Sequence, residues 1–292
     1  MFNYILYKIG QFLALSLPLR LSYLLAVFVS DLRFLYARED RETVKNNLKT
    51  IFPEKSEKEI NRILIQMFRN FAKYLVDFFR FSNLTKEYVS KNVRVENSHY
   101  VDEALARSKG VIFLTAHIGN WELGGAVISI IGYPLWVVAL AHKDKKVNDF
   151  FNFQRETKGV KVIPFNNAVR KCLSVLKDNN CLALVGDRDF TKEGGIEVAF
   201  LNKTASIPKG PAAFALKTGA AIVPGFMLRN KDDSFTLRFE KPIIPKNGDS
   251  SLLEKTNNGE LEKLTKQIKV VLEDYIKKYP EQWYMFKQFW IA

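Results

Sequence analysis

Residues 111–125 read VIFLTAHIGNWELGG. Val111 to Thr115 form a continuous apolar run of five, the texture of a strand buried on both faces of a parallel sheet. Two residues later comes His117, then a glycine, and a helical pattern begins near Gly119 or Asn120. A strand that ends in a polar loop and re-enters as a helix is the elementary step of an α/β fold. In such sheets ligands gather beyond the carboxyl ends of the strands, where His117 sits.

The same alternation continues outward. Segments 135–139, 160–163, 181–185, 196–200, 221–228 and 235–239 read as strands. Segments 123–131, 148–157, 167–177, 208–218 and 251–279 read as helices. The expected fold is therefore α/β, with a mostly parallel central sheet flanked by helices and antiparallel additions near 221–243. Upstream, residues 40–82 read as helical, broken at Phe52-Pro53, with a broad apolar face from Ile60 to Phe79. Three regions follow: 1–38 as apolar membrane-interface helices, 39–92 as a helical segment packed on the core, and 93–292 as the α/β domain with its long closing helix.

The first region contains Gly10 to Ser30, GQFLALSLPLRLSYLLAVFVS, with one charge at Arg20 and a proline at 18. Its length suits a membrane span, but an arginine at bilayer depth is costly. Helices lying at or dipping into the interface fit better, with Arg33, Arg38 and Arg41 placed to reach headgroups. A true span or a soluble core helix are the other two readings.

The 292 residues carry a formal net charge of +13. Such a charge needs an anionic partner but says nothing of fold. No zinc-finger spacing, RNP-like stretch or basic heptad segment is present, so nucleic acid is not expected. An anionic membrane surface and phosphorylated small molecules lead. Cys172 and Cys181 read as buried thiols rather than a disulfide, and neither a metal nor a cofactor is expected.

His117 and Glu122 are the catalytic candidates. A carboxylate beside an imidazole fixes its tautomer and makes it a better base toward a hydroxyl. Residues five apart do not share a helix face, so the pairing requires the chain to turn at Gly119. The helix start also turns backbone N–H groups toward the site. A hydrogen-bonded structural histidine is the alternative. The absence of G-x-S-x-G argues against a serine nucleophile, and no glycine-rich phosphate loop appears. Direct attack by an activated hydroxyl is the reaction these residues suit.

HIGNWE, residues 117–122, is similar to the H-x4-D/E box of glycerolipid and glycolipid acyltransferases. TAHIGNWELGG resembles more closely that of the bacterial lipid A late acyltransferases (lauroyl and myristoyl transferases) and their phosphatidylinositol-mannoside acyltransferase relatives. ENSHYVDEALARSKGVIFLTAH, VGDRDFTKEGGIEVAFLNKTASIPKGPAAFALKTGAAIVPGF and PEQWYMFKQFW resemble other parts of the family in order, so the likeness covers nearly the whole chain. It implies a glycerolipid acyltransferase-like fold and transfer of a fatty acyl chain to a hydroxyl of a membrane glycolipid. The donor would be an acyl carrier protein or coenzyme A thioester. His117 is then the general base and Glu122 its orienting partner, without an acyl-enzyme intermediate. The setting implied is the cytoplasmic face of the bacterial inner membrane, with the chain peripheral or singly anchored. A lipid A precursor is the first-choice acceptor and a phosphatidylinositol mannoside the second. A thioesterase and a non-catalytic lipid-binding protein are competing functions.

The chain departs from the family at two places. Phe200-Leu201-Asn202 stands where Phe-Phe-Gly is common. Gly186-Asp187-Arg188-Asp189 stands where the lipid A enzymes often have Pro-Asp-Gln, and this Asp-Arg-Asp form, with the IPKGPAAFALKTGAA run, resembles the mannoside branch more closely. Substrate-binding candidates are Asn120 at the helix start, Arg155 by resemblance, Asp187, Arg188 and Asp189 beyond strand 181–185, and Lys209 at the opening of helix 208–218. The basic cluster Lys143, Lys145, Lys146, Arg155 and Lys158 reads equally as a carrier or lipid contact and as a solvated face. Trp283 and Trp290 read equally as interface anchors and as core.

Overall fold

The computed structural model describes residues 2–189, 195–245 and 258–291. The N-terminal third is helical: α1 (Phe2–Ser16), α2 (Leu19–Tyr36), α3 (Arg38–Ile51), α4 (Glu57–Phe79) and α5 (Lys86–Asn92). Pro18 separates α1 from α2, because its ring fixes φ and it has no N–H to donate. Ser56 and Glu59 form a reciprocal capping box that starts α4 after the Phe52-Pro53 break.

Strands and helices then alternate: β1 (Val93–Glu96), α6 (His99–Ala106), β2 (Val111–Thr115), α7 (Trp121–Ile130), β3 (Leu135–Ala139), α8 (Lys145–Glu156), β4 (Lys161–Pro164), α9 (Ala168–Lys177), β5 (Cys181–Val185), β6 (Ile196–Phe200), β7 (Lys203–Ile207), α10 (Gly210–Thr218), β8 (Ala221–Arg229), β9 (Phe235–Phe239) and α11 (Asn258–Lys278). Seven strands form one sheet in the order β1-β9-β8-β2-β5-β3-β4. Every neighbouring pair is parallel except β8 and β9, the antiparallel addition expected near the end. Of the closing helix expected over 251–279, residues 251–257 lie outside the described residues, as do 190–194 of the family-like stretch.

Segment 196–200 is a strand, but not of the main sheet. It pairs antiparallel with β7, which the sequence reading left unassigned, in a separate two-stranded hairpin. β7 reads KTASI, with three polar residues in five, so its apolar content is too low to announce it. Leu201 and Asn202 make the turn at φ 42 and 73, without the glycine that usually marks such a hairpin.

The sheet has a distinct core on each face. One cluster packs α4, α6, α7 and α8 against Phe113, Val223 and Leu237. The other packs α9, α10, α11 and the β6–β7 hairpin against Ile112, Leu114 and Leu182. β2 is buried on both faces, as its unbroken apolar run requires. Cys172 and Cys181 are separate buried thiols, and burial pushes them up to about 11 and about 12 respectively. No helix among the described residues is long and apolar enough to cross a membrane. Trp283 and Trp290 are both in the core, 0% and 5% exposed, so neither anchors at an interface.

Candidate active site

β2 and β5 are parallel neighbours in register, Thr115 opposite Val185. Two residues beyond each end stand His117 and Asp187. The shared register brings them together, His117 Nδ1 lying 2.7 Å from Asp187 Oδ1. The other carboxylate oxygen, Oδ2, accepts the backbone N–H of His117 at 3.1 Å and the indole N–H of Trp283 at 2.9 Å. Asp187 has no exposed side-chain surface. Burial alone would raise its carboxyl, but the adjacent imidazole, the hydrogen bond to it, Arg188 and the Trp283 N–H bring it down to about 2. The group is therefore a carboxylate that can only accept from His117 Nδ1, and in a neutral imidazole that tautomer leaves the Nε2 lone pair available.

The carboxylate on the His117 ring is thus Asp187 and not Glu122, which corrects the pairing expected from sequence. Helix geometry is the cause. Asn120 caps α7 by accepting the N–H of Leu123, and Glu122 falls in the first turn of the helix, where its carboxylate is taken by another partner. Glu122 instead accepts two hydrogen bonds from Arg155 of α8, Nε to Oε2 at 2.9 Å and Nη2 to Oε1 at 2.6 Å. The pair is a planar bidentate match, largely shielded from solvent. Burial would lower the Arg155 guanidinium, but Glu122 more than offsets this and holds it above its usual value.

The loop between β2 and α7 is held from behind. Gly119 has φ +61, and a Cβ there would lie 1.9 Å from the Met227 carbonyl oxygen, so only glycine fits. Its N–H donates to the Gln282 carbonyl at 2.9 Å, and that of Asn120 to the Met227 carbonyl at 2.8 Å. The N–H of Tyr284 donates to the His117 carbonyl at 2.9 Å. The side-chain amide of Asn120 donates to Asp77 at 2.8 Å, and Asp77 is ion-paired to Arg229 in the interior. Tyr23 of α2 donates to Asp77 as well, which ties the N-terminal helices to the start of α7. Trp121 sets its ring edge-on to His117, with centroids 5.0 Å apart.

In front of His117 lies a cavity of about 840 Å³ with a mostly apolar lining. His117, Glu122, Arg155, Arg188, Asp189 and Lys209 are among its lining residues. Arg188 also donates to the Tyr284 carbonyl, while burial pushes its guanidinium below its usual value. Four of the six residues expected to bind substrate thus face the cavity. The other two do not. Asn120 is 1% exposed and Asp187 0%, each committed to protein partners, so both position neighbouring groups rather than meet substrate.

Sequence reasoning overlooked Asp77, Trp121 and Trp283. For Asp77 a signal existed: an acidic residue within the apolar face of α4 needs a buried partner. For Trp283 none did, because its partner lies 96 residues away.

Residues 1–291 match the family model described as bacterial lipid A biosynthesis acyltransferase. The chain is 24% identical over 270 residues to a phosphatidylinositol mannoside acyltransferase of Mycolicibacterium smegmatis, covering 91% of this chain and 84% of that protein. It is 21% identical over 209 residues to a lipid A biosynthesis acyltransferase of Haemophilus influenzae, covering 72% of this chain and 65% of the relative. Against a lipid A biosynthesis palmitoleoyltransferase of Escherichia coli it is 22% identical over 196 residues, covering 66% and 63%.

Proposed function

Since the chain belongs to the bacterial lipid A biosynthesis acyltransferase family, we propose that it moves a fatty acyl chain from an acyl carrier protein or coenzyme A thioester to a hydroxyl of a membrane glycolipid, with His117 as general base. One observation carries this reading: an imidazole held in a single tautomer by a buried carboxylate stands at the wall of a large apolar cavity. The apolar volume suits a fatty chain. The acceptor hydroxyl gives its proton to His117 Nε2 as its oxygen attacks the thioester carbonyl. Asp187 stabilises the imidazolium that forms, as a carboxylate does in a catalytic triad. The imidazolium then returns the proton to the departing thiolate. Arg188, lining the cavity beside the pair, supplies positive charge for the developing oxyanion. Glu122 shapes the site through Arg155, and Asp189 and Lys209 lie where a sugar hydroxyl or phosphate would reach them.

The N-terminal helices are the membrane contact in this reading. Phe12, Leu24, Phe28 and Leu35 are each at least 60% exposed, among other exposed large apolar residues of α1 and α2. Such a patch marks a protein or membrane contact in a folded chain. Arginines at the turn into α3 suit an anionic headgroup layer. The location is then peripheral, at the cytoplasmic face of the inner membrane, where the thioester donors are found.

A lipid A precursor is the first acceptor to test. A phosphatidylinositol mannoside is the second, favoured by the breadth of the match to the Mycolicibacterium smegmatis relative. The test is mass spectrometry of lipid extracts from cells with and without the gene. Loss of one acyl chain from lipid A is the expected result. An unchanged lipid A with an altered mannoside transfers the reading to the second acceptor, and no change in either glycolipid refutes it.

A further inference from the structure

The cavity in front of His117 is not confined to one face of the sheet. Phe113, Gly125, Ile128 and Leu237 line it on the α7 face, and Leu173 and Phe214, on α9 and α10, line it on the opposite face. Ala183 and Leu184 are consecutive residues of β5, so they point to opposite faces, and both line it. A paired sheet would block this passage. The pairing ends where it is needed. β3 and β5 remain paired through Val137 and Ala183. Beyond that point Leu184 and Val185 pair with β2, whereas Val138 and Ala139 pair with β4. The two strands diverge, and the residues on both sides of the gap, Val138, Ala139, Leu184 and Val185, line the cavity.

The space therefore has two apolar arms that join at the carboxyl edge of the sheet, beside His117. The arms differ. Phe113 at 2% and Leu237 at 1% exposure enclose the first. The second opens outward, since Val169 is 64% and Leu140 44% exposed along it.

We propose that the second arm holds a hydrocarbon chain of the acceptor lipid while the first encloses the acyl chain being transferred. The inference rests on the glycolipid acyltransferase reading above. Transfer requires a thioester carbonyl and an acceptor hydroxyl at His117 together, so both substrates must reach the junction. The pantetheine part of a thioester donor is rich in amides and hydroxyls and would leave polar groups unpaired against the apolar second arm. A fatty chain loses nothing there. An arm open at one end suits a lipid whose other chains stay outside the protein, and the enclosed arm suits the chain that leaves its carrier entirely.

The experiment uses the full chain in detergent micelles with an acyl thioester donor. The acceptors are a lipid A precursor and a phosphatidylinositol mannoside, each beside its deacylated counterpart. Val169→Glu sets a carboxylate on the rim of the second arm at an exposed position that folding tolerates, and Leu173→Trp fills the arm. Both variants should raise KM for the intact acceptor about tenfold, equivalent to the loss of roughly two buried methylenes. The donor KM and donor chain-length preference should stay as in the wild type, and the deacylated acceptor should not distinguish the variants from it. A shifted donor chain-length preference, or an unmoved acceptor KM, would overturn the inference while leaving the acyltransferase reading intact. Wild-type protein that transfers to neither glycolipid would overturn that reading and this inference with it.

Discussion

Asp187→Asn should abolish most activity while leaving the fold in place, and the hydrogen bonds show why. Oδ2 of Asp187 accepts from two donors, the His117 N–H and the Trp283 indole N–H. An asparagine must put its carbonyl oxygen there, because the amide N–H₂ cannot accept. The N–H₂ is then aimed at His117 Nδ1, which must become the acceptor. The proton moves to Nε2, and the nitrogen that should take the substrate proton no longer can. Flipping the amide would restore the tautomer but orphan both buried donors. Each orphan costs about 1–3 kcal/mol, so the flip costs about 2–6 kcal/mol. At about 1.4 kcal/mol per decade, the competent form falls to roughly 4 × 10⁻² to 5 × 10⁻⁵ of the protein. The assay is acyl transfer from a thioester donor to the glycolipid acceptor, with urea unfolding in parallel. The expected outcome is a kcat lower by about one and a half to four decades, with an unfolding transition as cooperative as in the wild type. A variant that keeps kcat within about threefold would refute the role of Asp187, and with it the tautomer argument.

Three further predictions follow from the same contacts. Trp283→Phe keeps the buried ring but removes one of the two donors, so the flip becomes cheaper; Asp187→Asn/Trp283→Phe should recover about tenfold or more of the kcat that Asp187→Asn loses, measured by the same transfer assay. Glu122→Gln breaks the ion pair with Arg155 and should destabilise by about 3 kcal/mol or more, with activity falling in step with the folded fraction; a collapse of kcat at full stability would return Glu122 to the chemistry. The Asp187 carboxyl lies at about 2 against 3.8 in its ordinary state, so its contribution to stability is complete above 3.8 and is lost as pH falls toward 2. The melting temperature of Asp187→Asn should therefore depend less on pH across that window than the wild type's.

The sequence made much of this site legible, and what it hid has a physical cause. VIFLT and CLALV could be read as buried strands because an unbroken apolar run permits little else at that length. His117 stood out because it follows such a strand at its carboxyl end. Asp187 follows the second strand by the same two residues. What no local pattern contains is the strand order. Only adjacency of β2 and β5, in parallel register, turns two equal offsets into a 2.7 Å contact. Glu122 looked like the partner because it is near in sequence, but a helix turns each residue by about 100° and carries Glu122 toward α8. Its Arg155 lies 33 residues on and Asp187 lies 70 from His117, so each contact is set by topology rather than by a motif. β1 and β7 were missed for a simpler reason: VRVE and KTASI are short and half polar, and such runs do not declare a strand.

The C-terminal segment explains why the site needs the whole chain. Gln282, Trp283 and Tyr284 touch the His117 loop at three successive residues, through the Gly119 N–H, the Asp187 carboxylate and the His117 carbonyl. Gln282 also exchanges two hydrogen bonds with the backbone of Arg229. Arg229 in turn holds Asp77, which holds the Asn120 cap of α7. Strand β8, helix α4 and the C-terminal residues thereby fix a loop of five residues, 116–120, whose own sequence has little to hold it. An imidazole used as a base must keep its orientation through proton uptake and release, and a glycine-containing loop alone would not give it that. The contacts that immobilise His117 come from residues remote in sequence from HIGNWE, so the motif is the visible part of a site built by the fold.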